Sequence, residues 1–94
     1  MMTWLEACKL TPGTPVRFTE AHDIFPEGMV HVGDTGIVVH NDLNEASELL
    51  YILPDDLELR AALKEYGGEI YLTPHDEFDA IAPIEIIEPK AWPQ

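Results

Sequence analysis

A glycine-bracketed turn that runs into an apolar segment is the feature that most limits what this chain can fold into. The segment VHVGDTGIVVHND occupies residues 30–42. Gly33 and Gly36 enclose a polar Asp-Thr pair, and glycine takes the positive φ angles of tight turns without steric cost. The letters GIVVHN predict a β-strand with Val38 and His40 on one face. A fold built from turns and short strands is therefore expected.

Four further segments have the apolar or alternating character of short strands. They are TPVRFT at 14–19, ELLYILP at 48–54, EIYLTP at 69–74 and APIEIIEP at 82–89. In the last of these, Ile84 and Ile86 are expected to point inward. Residues 20–32 are predicted to be a long connection whose Pro-Glu-Gly turn packs apolar side chains, among them Phe25, against the body of the fold.

One segment, DDLELRAALKEYGG, changes period and predicts a helix over about 56–66. Its apolar stripe recurs at helical spacing: Leu59, Ala62, Leu63 and Tyr66. Asp55 with Glu58 resembles a capping box, and Asp56 is spaced to pair with Arg60. A short N-terminal helix is also expected, ended by the turn letters TPGTP.

The order of elements is strand, long loop, two strands, helix and two strands, in a single domain spanning 1–94. A small sheet that stays flat and open leaves long edges exposed. We therefore predict a mainly β fold, a small partly open barrel of about five strands with one helix inserted near 56–66.

The segments PGTPVRF and EGMVHVGDTGIVV, over about residues 12–39, resemble the opening of SH3-like barrels. Similar openings occur in KOW-type domains and in accessory-subunit barrels such as the nitrile hydratase β chain and photosynthetic electron-transport accessory proteins. The resemblance implies a binding module or a subunit of a larger assembly. The chain departs from KOW-type domains because residues 30–42 contain no Lys or Arg, whereas those domains bind RNA or ribosomal partners through basic residues.

Charge excludes several classes of partner. The formal net charge is −13 at pH 7, and ten acidic residues with no Lys or Arg lie between Arg17 and Arg60. Such a field repels phosphate, so direct binding to nucleic acid or to a membrane is not expected, and a protein partner with a basic surface is favoured. A lone cysteine, Cys8, and the lack of a signal-peptide pattern or a long apolar run predict a cytoplasmic protein.

No motif predicts catalysis, a metal site or a cofactor. The four histidines match no zinc-ligand spacing, and the loop carboxylates at 76–79 have no predicted burial to shift their pKa values. The letters DTG occur once, and an aspartic protease dyad needs two copies. Interface hot spots are usually drawn from aromatic residues, and the chain supplies Trp4, Phe25, Tyr51, Tyr66, Tyr71, Phe78 and Trp92. The alternative is that Tyr51, Tyr66 and Tyr71 complete the core.

Two hypotheses for function follow. The first is a non-enzymatic binding or accessory protein that docks on a larger protein through its long loop or its helix. The second is an acidic inhibitor that imitates nucleic acid, as anti-CRISPR and anti-restriction proteins do. Eight residues are predicted to contact a partner: Asp42, Glu45, Glu48, Asp55, Asp56, Glu58, Phe25 and Trp92. Clustering of the six acids on one side would favour the second hypothesis.

Overall fold

A computed structural model describes residues 2–24, 28–64, 67–74 and 80–87. The elements, in chain order, are α1 (Trp4–Ala7), β1 (Pro15–Phe18), β2 (His22–Ile24), β3 (Gly28–Val30), β4 (Thr35–Asp42), β5 (Leu49–Pro54), α2 (Leu57–Ala62), β6 (Ile70–Leu72) and β7 (Ile84–Ile86).

Five strands form one antiparallel sheet in the order β6-β5-β4-β1-β7. The first four lie next to one another as a meander, and β7 returns to the other side of β1, where Phe18 pairs with Ile84. Within the described residues the sheet is not closed into a barrel. The prediction of a mainly β fold of about five strands, with a helix after the third predicted strand, is confirmed.

The predicted long connection contains a separate two-stranded hairpin. β2 pairs with β3 through His22 and Val30 at one end and Ile24 and Gly28 at the other. Each strand has three residues, and neither HDI nor GMV alternates apolar and polar residues as IEI of β7 does, so no strand pattern stands out in the sequence. Val30 is fully buried, so the end of the hairpin joins the core.

The inner face of the sheet carries the core. Its fully buried side chains come from all five strands: Val16, Phe18, Val38, Leu50, Ile52, Ile70, Leu72 and Ile84. Trp4 and Ala7 of α1 join the same cluster, as do Leu59 of α2 and Leu63 just after it. Burial of this apolar surface is the main stabilising term.

The prediction that Ile86 points inward is wrong. Ile84 is 1% exposed, whereas Ile86 is 55% exposed. Within the described residues, β7 is the outermost strand of the sheet, and Ile86 pairs with Val16 at its C-terminal end, where no second described strand flanks it.

The two turn glycines have different roles. Gly33 has φ +94°, as predicted, but Gly36 is not among the described residues with positive φ. A Cβ at Gly36 would lie 2.7 Å from the Leu53 carbonyl oxygen and 2.8 Å from Ile52 Cγ2. Gly36 is therefore required by the close approach of β5 rather than by its dihedral angles.

α2 is shorter than predicted, since it ends at Ala62 rather than Tyr66. Residues 65–66 lie outside the described part of the chain. Gly67 and Gly68 follow with φ +74° and +78°, and the Gly68 N–H donates to the Leu63 carbonyl. This arrangement ends the helix in the left-handed manner that glycine allows.

Candidate functional site

A row of aromatic side chains crosses three neighbouring strands on the solvent-facing side of the sheet. His40 of β4 pairs with Tyr51 of β5, and Tyr51 pairs with Tyr71 of β6. Residues directly opposite in an antiparallel pair project to the same face. Leu50 and Ile52, on either side of Tyr51, are fully buried, so the three rings lie on the opposite face from the core. We call these three residues the aromatic row.

The rings of the aromatic row contact one another. The ring centroids of His40 and Tyr51 are 5.4 Å apart with planes at 51°, and those of Tyr51 and Tyr71 are 4.9 Å apart with planes at 74°. The second pair is an edge-to-face contact, the arrangement that the ring quadrupoles favour. Tyr71 is 40% exposed, so part of the row reaches the protein surface.

A β-bulge in β4 places His40 on this face. The register between β4 and β5 shifts between Val38 and His40. Without the shift, two residues of separation would place both side chains on one face, which is what the alternation predicts. Instead Val38 is fully buried and the side chain of His40 is 62% exposed. The prediction that they share a face is wrong because strict alternation cannot anticipate a bulge.

The same bulge turns Asn41 toward the interior. Its Nδ2 donates hydrogen bonds to the carbonyl oxygens of Ala7, at 3.0 Å, and Leu10, at 2.8 Å. Its Oδ1 accepts from the Leu43 N–H at 3.1 Å. These bonds hold the C-terminal end of α1 against β4. The Ala7 carbonyl also accepts from the Leu10 N–H, so the Asn41 amide adds a second hydrogen bond at the end of the helix.

Asp42 lies beside the aromatic row. Its Oδ1 is 3.0 Å from Nε2 of His40, and its side chain is 25% exposed. It pairs with Leu49 across β4 and β5, one position beyond the neighbouring Asn41 and Leu50 pair. The Asp42 carboxylate therefore adjoins the His40 end of the aromatic row on the outward face. Carboxylates and aromatic faces are both groups that attract cations.

The six acids predicted to contact a partner fall into two groups at opposite ends of the β4–β5 hairpin. Asp42 ends β4, and Glu45 and Glu48 lie in the turn that follows, a region that we call the turn end. Asp55, Asp56 and Glu58 follow the far end of β5 and begin α2, which we call the helix end. The five residue steps of β5 separate the two groups by ~17 Å. The structure does not gather the six acids into one cluster.

Two acids of the helix end form structural hydrogen bonds. Oδ1 of Asp56 accepts from the N–H of Glu58 at 2.9 Å and of Leu59 at 3.4 Å, which makes Asp56 the N-cap of α2. Asp55 Oδ2 accepts from the hydroxyl of Thr35 at 2.6 Å. The predicted capping box of Asp55 with Glu58 is therefore wrong, because the helix begins one residue later.

The predicted pairing of Asp56 with Arg60 is also absent from the described ion pairs. Arg60 Nε instead donates to the backbone carbonyl of Pro54, which anchors α2 to the end of β5.

The acids of the turn end are less engaged. The side chains of Glu45 and Glu48 have no hydrogen bond or ion pair within the described residues, and Glu45 is exposed. The turn itself is held by backbone bonds, from the N–H of Glu45 to the Asp42 carbonyl and from the N–H of Glu48 to the Glu45 carbonyl. Glu48 has φ +51°, a left-handed conformation that is unfavourable for a residue with a Cβ.

Phe25 and Trp92, the remaining predicted contact residues, lie outside the described residues. Among those described, no group of three or more His, Cys, Asp or Glu residues is placed to hold a metal ion. Burial raises the pKa of the Cys8 thiol, so the thiol is held in its protonated and less nucleophilic form.

For Tyr51 and Tyr71 the sequence leaves two interpretations, interface aromatics and core residues. Each tyrosine stands between two aliphatic residues, in LYI at 50–52 and IYL at 70–72. Alternation places such a tyrosine on the opposite face from its neighbours. The structure has both rings on that outward face, and with Tyr71 40% exposed the core interpretation is wrong for Tyr71.

No protein-family model, curated protein or solved structure matches this chain. Neither helix of the described part has the length and apolar character needed to span a bilayer.

Proposed function

We propose that this protein is a non-enzymatic, acidic binding module that docks on a larger protein, with the outward face of β4, β5 and β6 as its contact surface. The single observation that carries the proposal is the aromatic row of His40, Tyr51 and Tyr71. Aromatic residues on a rigid, partly exposed surface are the residues from which binding hot spots are usually drawn. The surface therefore differs from an ordinary solvated sheet face.

The apolar character of this face extends beyond the rings. Ile37 of β4 pairs with Leu53 of β5 on the same side, and Ile37 is 38% exposed. Pro15 of β1 pairs with Ile37, which continues the apolar surface across the next strand. Exposed apolar surface of this kind marks a site of protein–protein contact, because burial against a partner removes it from water.

We also propose that the sheet is a partly open form of the SH3-like barrel that the sequence resembles. The observation in favour is its connectivity, in which four strands form a meander and the last strand returns to pair with the first. The hairpin of β2 and β3 then occupies the long loop between the first two barrel strands.

Charge selects the class of partner. With a net charge of −13, the chain favours a partner with a basic surface and disfavours nucleic acid and membranes. The division of the six acids into two groups supports the docking module over the alternative of a nucleic-acid mimic, which needs carboxylates arranged along one surface. A cytoplasmic location is part of this proposal, since Cys8 is a lone free cysteine.

The test is recovery of partners from native lysate by the tagged chain at about 0.1 M and about 0.5 M salt, a range over which exposed ion pairs become heavily screened. Three baits are compared: wild type, Tyr71→Thr on the aromatic row, and Leu57→Thr as a matched control at a 72% exposed site on α2. Thr keeps the strand preference at position 71.

We expect one protein to be retained by wild type and Leu57→Thr at both salt concentrations and to be lost from Tyr71→Thr. Equal recovery by all three baits would contradict the assignment of the surface. A nucleic-acid-binding protein that is recovered by all three only at low salt would favour the mimic. Thermal unfolding of each bait checks that the variants are folded.

A further inference from the structure

We infer that the aromatic row and Asp42 form a subsite for an arginine side chain in the docking segment of a partner protein. The inference rests on the proposed function and adds the chemistry of the group that is recognised. It places the guanidinium over a tyrosine ring of β5 or β6, with its N–H groups directed to the carboxylate of Asp42.

The rings supply the first part of the subsite. A cation within about 6 Å of an aromatic centroid is attracted by the electron-rich face of the ring. In the edge-to-face pair of Tyr51 and Tyr71, one ring presents its edge, so both faces of that ring lie outside the pair contact. Since Tyr71 is 40% exposed, a side chain from solvent can reach this region.

The second part of the subsite is the charge of its surroundings. The strands β4, β5 and β6 contain no Lys or Arg, and Asp42 is their single carboxylate. The next strand of the sheet, β1, contains Arg17, whose Nε donates to Glu85 Oε1 at 2.8 Å. Asp42 therefore faces the row without a neighbouring Lys or Arg on the same strands, and its described ion-pair contact is to His40.

Arginine fits this combination better than other groups. Its planar guanidinium stacks on an aromatic face and presents N–H groups in the geometry of a carboxylate. A lysine ammonium is a more strongly hydrated point charge and stacks less well. A nucleobase also stacks on tyrosine, but the phosphates that accompany it are repelled by a net charge of −13.

The probe for this subsite is a short peptide, acetyl-Gly-Gly-Arg-Gly-Gly-amide, and its control replaces Arg with citrulline, which keeps the shape but has no charge. Both peptides are titrated into the ¹⁵N-labelled chain at about 0.1 M salt, where surface charge is only partly screened. Backbone amide shifts report the binding site residue by residue, and their concentration dependence reports Kd.

We expect weak binding of the arginine peptide, with the largest shifts at residues 40–42, 51 and 71. The citrulline peptide should bind at least about threefold more weakly, the loss typical of an exposed cation–π contact. Asp42→Asn should weaken the arginine peptide by a similar factor, whereas Glu45→Gln, the same change of charge at an exposed site of the turn end, should not. Tyr71→Leu should also weaken it.

Equal affinity for the two peptides, or shifts scattered over all acidic segments, would overturn the inference. An equal effect of Asp42→Asn and Glu45→Gln would also overturn it, because nonspecific attraction to negative charge would then explain binding. If a partner protein is lost from Tyr71→Thr while the arginine peptide fails to bind wild type, the inference fails and the proposed function stands. Failure of both tests would contradict the assignment of this surface as a binding site and the inference with it.

Discussion

The two ends of the β4–β5 hairpin have the same number of predicted contact acids and use them differently. At the helix end, Asp55 accepts a hydrogen bond from Thr35 and Asp56 caps α2. At the turn end, Asp42 lies beside the aromatic row, while the Glu45 and Glu48 side chains bond to nothing in the described chain.

The difference shows that acidity alone does not identify a binding surface. A carboxylate that already accepts backbone or hydroxyl hydrogen bonds stabilises the fold. Diverting such a carboxylate to a partner would break those hydrogen bonds and lower the stability of the fold. The Asp42 carboxylate contacts the exposed His40 side chain and, within the described residues, accepts no backbone hydrogen bond, so it does less for the fold. Changes at the helix end should therefore act mainly on stability, and changes at Asp42 mainly on binding.

The largest expected effect lies at the helix end, where Gly36 faces Pro54 of β5. Gly36→Ala should lower the free energy of unfolding by about 3 kcal/mol, since the added Cβ meets backbone and side-chain atoms. Gly33→Ala is the matched control. It has open space but φ +94°, and should cost about 1 kcal/mol. Urea denaturation monitored by tryptophan fluorescence measures both, and equal losses would show that Gly36 is not crowded.

At the turn end, the expected structural weak point is Asn41 rather than an acid. Asn41→Asp should cost about 2 kcal/mol, because a carboxylate cannot donate to the carbonyls of Ala7 and Leu10. Asn44→Asp makes the same chemical change at an exposed site of the turn and should stay within about 0.5 kcal/mol of wild type. Similar denaturation curves for the two variants would contradict the role of Asn41 in holding α1.

The cap of α2 gives a smaller effect. Asp56→Ala should cost about 1 kcal/mol, and Asp56→Ser should recover most of it because a serine hydroxyl can accept the same backbone bonds. Glu58→Ala, in the first turn of the same helix, should cost less, since the Glu58 side chain accepts no hydrogen bond from the described chain. Thermal unfolding measures the three variants. A higher melting temperature for Asp56→Ala than for Glu58→Ala would show that the cap is misassigned.

The smallest effect is a gain at the turn end. Glu48→Gly should raise the free energy of unfolding by about 0.5 kcal/mol, because glycine relieves the positive φ at a modest cost in chain entropy. Glu48→Gln keeps the φ strain and removes only the charge, so it should be close to neutral. A loss of stability in Glu48→Gly larger than in Glu48→Gln would mean that the turn holds no such strain.

Much of the fold could be predicted from alternation and turn residues. The strands at 15–18, 35–42 and 49–54, α1 and the inserted helix follow from local patterns. The hairpin of β2 and β3 could not be predicted, because its strands, HDI and GMV, do not alternate apolar and polar residues. The exposure of Ile86 depends on its place at the edge of the sheet, which a local pattern does not report.

The candidate site was the harder part to predict. The position of His40 and the inward turn of Asn41 depend on one bulge in β4, and nothing in GIVVHND marks it. The aromatic row depends on the pairing of His40, Tyr51 and Tyr71, which lie up to 31 positions apart in the sequence. Asp42 was predicted as a contact residue on charge alone, and the structure places it beside rings that charge could not indicate.

The most direct test of the central claim compares two variants that each remove one carboxylate, Asp42→Asn and Asp56→Asn. Asn caps a helix about as well as Asp, so Asp56→Asn keeps the cap and loses only the charge. Affinity for the arginine peptide should fall at least about threefold in Asp42→Asn and remain within about 1.5-fold of wild type in Asp56→Asn. Equal losses in the two variants would contradict the account, because the ends of the hairpin would then contribute to binding through net charge alone.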